Sequence, residues 1–217
     1  TTAGPIVVST AGSLSIREDV TSAANIDLSA TAGDVGVIDG SSVLAATNAN
    51  LLASGSIAID GSYVTATAGM ADLDAQGGQL SLINASMVTA FSSITGNAGT
   101  DLTIDSGSGA VAGDDAVLTA GNDLHLTATS TVQAQDLIAI LGDHGNSDPG
   151  IGSSIQLQGI LDGQRVEVSG EKDADSILLQ LVNLVGHTQI FGQAGDDLIT
   201  IDHLVTLITA HDRPADG

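Results

Sequence analysis

The residues best able to do chemistry lie in two acidic segments, GEKDADSIL at 170–178 and GQAGDDLIT at 192–200. The segments align without a gap at a distance of 22 residues, which sets Asp175 on Asp197. If the two stack at the spacing of neighbouring β-strands, Asp175 and Asp197 come within about 5 Å of each other, with Asp173 and Asp196 close by. Like charges that close raise a carboxylate's pKa unless a cation compensates. Ca²⁺ is the cation such oxygen ligands select, and a Ca²⁺ site is the sharper expectation. The plainer one sends these carboxylates into water, where salt screens the repulsion.

Other chemistry finds less support. The five histidines, at 125, 144, 187, 203 and 211, show neither HxH nor HExxH spacing, so no zinc site is expected. Cysteine is absent, which removes disulfides and thiolate sites. Glycoside hydrolysis needs two carboxylates across a defined gap. The nearest candidates, AGDD at 112–115 and DHG at 143–145, form no distinctive constellation, so the expectation is a protein without enzymatic activity. The net charge is −22 with only four Lys and Arg, Arg17, Arg165, Lys172 and Arg213. Counterion displacement from nucleic acid needs many more cations, and nucleic acid is excluded as a partner. No apolar run reaches the roughly 18 residues needed for a membrane-spanning helix. The opening TTAGPIVV is neither an initiator Met nor a signal peptide, so the chain reads as a piece of something longer.

The elements that would position these residues follow from a repeat. A small-residue turn leads into an apolar-x-apolar strand at Leu14/Ile16, Val35/Val37, Ile57/Ile59, Leu80/Leu82, Leu102/Ile104 and Leu124/Leu126, in steps of 21, 22, 23, 22 and 22 residues. Ladders run beside it: Ser41, Ser62, Ser86, Ser108 and Ser130; then Val43, Val64, Val88, Ala110 and Val132; then Asp39, Asp60, Asn84 and Asp105. A fixed period of this size means stacked coils that bury their apolar faces against one another. Three short strands and three turns fill about 22 residues, so the expected fold is an all-β, right-handed parallel β-helix. The hand follows the preference of parallel crossovers. Alternation turns Val, Ile and Leu inward and Ser, Thr and Asp outward. The Asp/Asn ladder reads as Asx turns capping their own corners, with an exposed cation strip as the alternative.

Three regions follow. Residues 1–141 form coils with Ser, Val and Asx ladders. Residues 142–153, GDHGNSDPGIGS, break the period as an inserted surface loop, and 154–217 resume it as acidic coils. The final HDRPADG reads as a frayed end or the start of another repeat.

Phrases such as AGTDLTIDSGS at 98–108 and AGNDLHLTATS at 120–130 resemble the β-helical repeats of filamentous haemagglutinin-like exoproteins and other giant bacterial surface adhesins. The segment at 192–200 resembles the calcium-binding nonapeptide G-G-x-G-x-D-x-U-x of the repeats-in-toxin family, through Gly192, Gly195, Asp197 and Ile199. Gln193 stands in place of its second glycine, Asp173 stands where Gly195 does one repeat earlier, and the partner turn is 22 residues away rather than 18. The resemblance implies that Asp197 and turn carbonyls ligate Ca²⁺. It implies a secreted, extracellular or cell-surface segment of a long adhesin or matrix fibre, facing a host or neighbouring cell or a matrix polymer. Two further expectations are end-to-end self-association through unpaired strand edges and, less strongly, a carbohydrate-binding or carbohydrate-active β-helix.

Overall fold

The structure is a computed structural model that describes residues 3–105, 107–145 and 150–202. Those residues form a parallel β-helix of about nine coils with about 22 residues per coil, and no helix occurs among them. Each coil lays one strand on each of three faces. A first face carries Ile26–Ala30, Ala49–Ala53, Ala71–Ala75 and their successors, a second Leu14–Ile16, Val35–Val37, Ile57–Asp60 and theirs, and a third Ser42–Ala45, Tyr63–Ala66 and Met87–Ala90 onward. Every pairing along a face is parallel. Ile26, Ala49, Ala71, Ile94, Ala116 and Ile138 stand in one column, and Leu124, Ile155 and Ile177 in another.

The alternation puts branched side chains inside. Val35, Val37, Ile57, Ile59, Leu124 and Leu126 are fully buried. A narrow core needs small residues too, hence the buried Ala30, Ala53, Ala75 and Ala120. Gly96 stands between Leu73 and Leu118 in its column, and a Cβ there would press on Leu118 and Leu80, which have taken its space.

The serine ladder differs from its expected outward position. Ser41, Ser62, Ser86, Ser108 and Ser130 are buried. Each lies two residues before an inward valine or alanine and shares its parity, and the hydroxyls bond the corner backbone. Ser41 Oγ donates to Ile16 O at 3.0 Å, Ser130 Oγ to Thr127 O at 2.7 Å, and Ser86 Oγ to Ile59 O at 2.8 Å. The Asx ladder also departs from expectation at Asp39, Asp60 and Asn84, whose side chains link coils instead of capping their own corners. Arg17 Nη1 pairs with Asp39 Oδ2 at 2.8 Å, and Asn84 Nδ2 donates to Asp60 Oδ1 at 2.7 Å. Asp39 and Asn84 sit in left-handed backbone, which suits Asx residues.

The last two full coils change shape. The strands of the third and first faces fuse into Ile160–Ser169 and then Asn183–Phe191, with a register shift between Asp162 and Arg165. The inserted segment is no simple surface loop at its roots. Gly142, Asp143 and Ser153 are buried; Pro149 lies outside the described residues, as does the HDRPADG tail.

Candidate functional site

The acidic turns lie at the corner between the first and second faces. Strand pairing places Leu141, Ser169 and Phe191 in one column, so Gly142, Gly170 and Gly192 begin three stacked turns. The next residue in each is left-handed: Asp143 at φ 49°, Glu171 at 68° and Gln193 at 68°. Gln193, which stands in place of the motif's second glycine, therefore adopts a left-handed conformation that glycine takes freely, at a steric cost, and its Nε2 donates to Ser169 Oγ at 2.6 Å. Glu171 Oε1 lies 3.4 Å from His144 Nδ1 in the coil before.

Asp175 is 2% exposed. It stands two residues before the buried Ile177, so it has inward parity, like the valines. Its Oδ1 accepts from Ser153 N at 2.7 Å and from Ser153 Oγ at 3.0 Å. Its Oδ2 lies against Gly170, where a Cβ would collide with the carboxylate, and accepts no hydrogen bond. Burial is the largest influence on this carboxyl and pushes its pKa up. The two Ser153 bonds oppose that shift, while Asp197 and Asp173 add to it.

One coil on, the arrangement repeats. Asp197 Oδ1 accepts from Asp175 N at 3.0 Å, and its other oxygen lies against Gly192 as that of Asp175 lies against Gly170. Asp173 is left-handed at φ 61°, and its Oδ2 accepts from Gly150 N at 2.9 Å. Gly195 stacks on the carbonyl of Asp173 so closely that a Cβ would not fit. Asp196 is exposed. The structure thus brings Asp173, Asp175, Asp197, Gly192 and Gly195 into one corner, with Asp196 on its outer rim.

The same corner in the earlier coils is wired in the opposite direction. There the polar residue comes one position before the strand and has outward parity. Asp34 Oδ1 accepts from Ser56 N at 2.8 Å, Ser56 Oγ from Gln79 N at 3.2 Å, and Asp123 Oδ1 from Ser154 N at 2.9 Å. Each of these acceptors serves the following coil, whereas Asp175 and Asp197 serve the preceding one. The two directions meet at adjacent amides, Ser153 bonded to Asp175 and Ser154 to Asp123. Sequence reasoning missed Ser153, although its place two residues before Ile155 repeats that of Asp175 before Ile177.

AGDV at 32–35, AGTDL at 98–102 and AGNDL at 120–124, which share a glycine and an aspartate before a strand with the acidic turns, belong to this outward set. AGDDAV lies at another corner, between the third and first faces, where Asp115 Oδ1 accepts from Leu137 N at 3.1 Å. AGDD and DHG, the nearest approach to a hydrolytic pair, therefore sit at different corners. His125 is half-buried and outward in Leu124–Leu126, and His203 and His211 lie outside the described residues. Among the described residues, no group of three or more His, Asp or Glu is arranged to hold a metal ion; a cation at Asp175 and Asp197 would have to draw on turn carbonyls as well. No protein-family model, curated protein or solved structure matches the chain.

Proposed function

We propose that this chain is a non-enzymatic shaft segment of a large secreted adhesin or extracellular matrix fibre. The observation that carries this reading is the uninterrupted core. Among the described residues nine strands on the second face stack in parallel, and the insertion after Leu141 leaves through a corner without breaking the columns on either side. Such a body is a stiff spacer whose length grows by about 4.8 Å per coil, and its function is to hold something at a distance. Its negative surface keeps it soluble and apart from nucleic acid and anionic membranes. No helix among the described residues is long and apolar enough to cross a membrane.

Ca²⁺ belongs to this proposal as the ion that stiffens the later coils. Support comes from Asp175, whose buried carboxylate keeps one oxygen without a hydrogen bond and has Asp197 stacked beside it. Calorimetric titration with Ca²⁺ should show saturable binding together with a rise in Tm. A flat titration with an unchanged Tm would remove the ion from the account.

A second reading, a subunit that polymerises end to end, draws on the exposure of Leu198, Ile199 and Ile201 in the last described strand. Electron microscopy of the isolated chain separates the two. The shaft reading expects monodisperse rods roughly 40 Å long, and filaments would overturn it.

A further inference from the structure

The corner between the third and first faces tightens along the rod. From the last paired residue of one face to the first of the next, the chain takes four residues at Ala90–Ile94 and again at Ala112–Ala116. It still takes four at Gln133–Leu137. In the next coil the matching span is Asp162–Arg165, three residues, and in the coil after that Val185–His187, two residues. Each lost residue draws the corner toward the axis. Glycine makes the contraction possible: Gly186, at φ 112°, lies so close to Gly163 O that no Cβ could stand between them. Behind the projecting corner at Phe91 the surface drops into an open groove of about 1430 Å³, which continues through five coils to Thr188. Four coil steps give it a length of about 19 Å along the rod.

We propose that this groove binds an extended, uncharged glycan chain lying parallel to the rod axis. A trench of this length takes a linear polymer more readily than a compact molecule. Phe91, one of only three aromatic residues in the chain, is 70% exposed at one end, a flat apolar face on which a pyranose ring can lie. Along the walls stand amides and carboxylates, Gln133, Gln135, Asp114 and Asp162. Together they offer the mixed donors and acceptors that sugar hydroxyls require. Gln133 and Asp162 are already oriented by a bond of 3.3 Å between Nε2 and Oδ2. No Lys or Arg lines the groove, and its two carboxylates sit on a chain of net charge −22, so uronates, sulfated glycans and nucleic acid are repelled. A basic peptide would meet the same charges, but two carboxylates across five coils and an apolar platform favour the sugar.

The test is a titration of the ¹⁵N-labelled intact chain with cellohexaose, chitohexaose, mannohexaose and maltohexaose, with hexagalacturonate and oligolysine as controls. At least one neutral hexaose should shift the amides of Gly113, Gly163 and Gly186 with a Kd of about 1 mM, and hexagalacturonate should not. Phe91→Ala should weaken that binding about tenfold or more while leaving Tm unchanged, since the ring is exposed. The proposal is overturned by silence from all four neutral sugars, by shifts with oligolysine alone, by a Phe91→Ala variant that binds as well as the parent, or by concentration-dependent dimerisation through this face.

Discussion

Two stretches of the same corner, before residue 142 and after residue 153, differ by a single step of strand parity. In Asp34–Val35 and Asp123–Leu124 the acid immediately precedes the inward residue and points out. In Asp175–Ser176–Ile177 and Asp197–Leu198–Ile199 one residue intervenes and the acid points in. The outward acid is a solvated tie to the coil that follows. The inward acid reaches back to the coil before it, and at Asp175 it also gives up solvent, which raises the question of what balances its charge. Identical residue types in nearly identical turns thus have different electrostatics, because a strand reverses its facing with every residue.

The largest expected effect tests whether the core is as continuous as the columns suggest. Leu124→Ala and Ile59→Ala remove fully buried side chains and should each cost about 2–5 kcal/mol in urea unfolding. Ile201→Ala, at an exposed position of the last described strand, should cost well under about 1 kcal/mol. Equal losses at Ile201 and at the two interior positions would mean that burial does not grade along the rod in this way.

Next in size is the pair of corner acids. Asp175→Ala leaves the Ser153 N–H and hydroxyl without their acceptor in a buried corner and should cost about 1–3 kcal/mol. Asp123→Ala frees an exposed amide that water can satisfy, for about 0.5 kcal/mol or less. Reversal of that order would break the distinction between inward and outward acids.

The pH dependence sharpens it. Folding raises the Asp175 pKa, chiefly through burial. The native state therefore holds this proton more tightly than the unfolded chain, and stability falls as pH rises from the ordinary carboxylate value of 3.8 through the raised one. Acidification into that window should stabilise the later coils, and Asp175→Asn should flatten the response. Asp72 in the shaft, raised by burial and then by Asp74, gives the same sign, so Asp72→Asn is the matched control. An unaltered pH profile in Asp175→Asn would contradict the assignment.

The smallest effect concerns the turn itself. Gln193→Gly relieves a left-handed residue and should raise stability by up to about 1 kcal/mol in thermal unfolding. A loss of stability would show that the bond from Gln193 Nε2 to Ser169 Oγ outweighs the strain.

The 22-residue period carried the architecture, since Leu14, Val35, Ile57 and their successors could only be one column of a solenoid. The convergence of Asp173, Asp175 and Asp197 was legible for the same reason. The serine ladder was not: Ser41 has the parity of Val43, but polarity argued for the surface, and only the corner carbonyls explain why a hydroxyl is stable inside. Ser153 was hidden by the insertion, which separates it from the coil it caps. The groove was invisible because it arises from residues that are missing at a corner, a difference between three coils that no single motif records.

Native-state hydrogen exchange with and without millimolar Ca²⁺ tests the central contrast most directly. The shaft amides, such as Val64 and Ile104, should be strongly protected in both conditions. Ser153 and Asp175 should be less protected alone and gain protection when Ca²⁺ is added. A uniform response along the rod, or no response at Ser153 and Asp175, would contradict the claim that one step of parity separates a plain shaft from a cation-dependent joint.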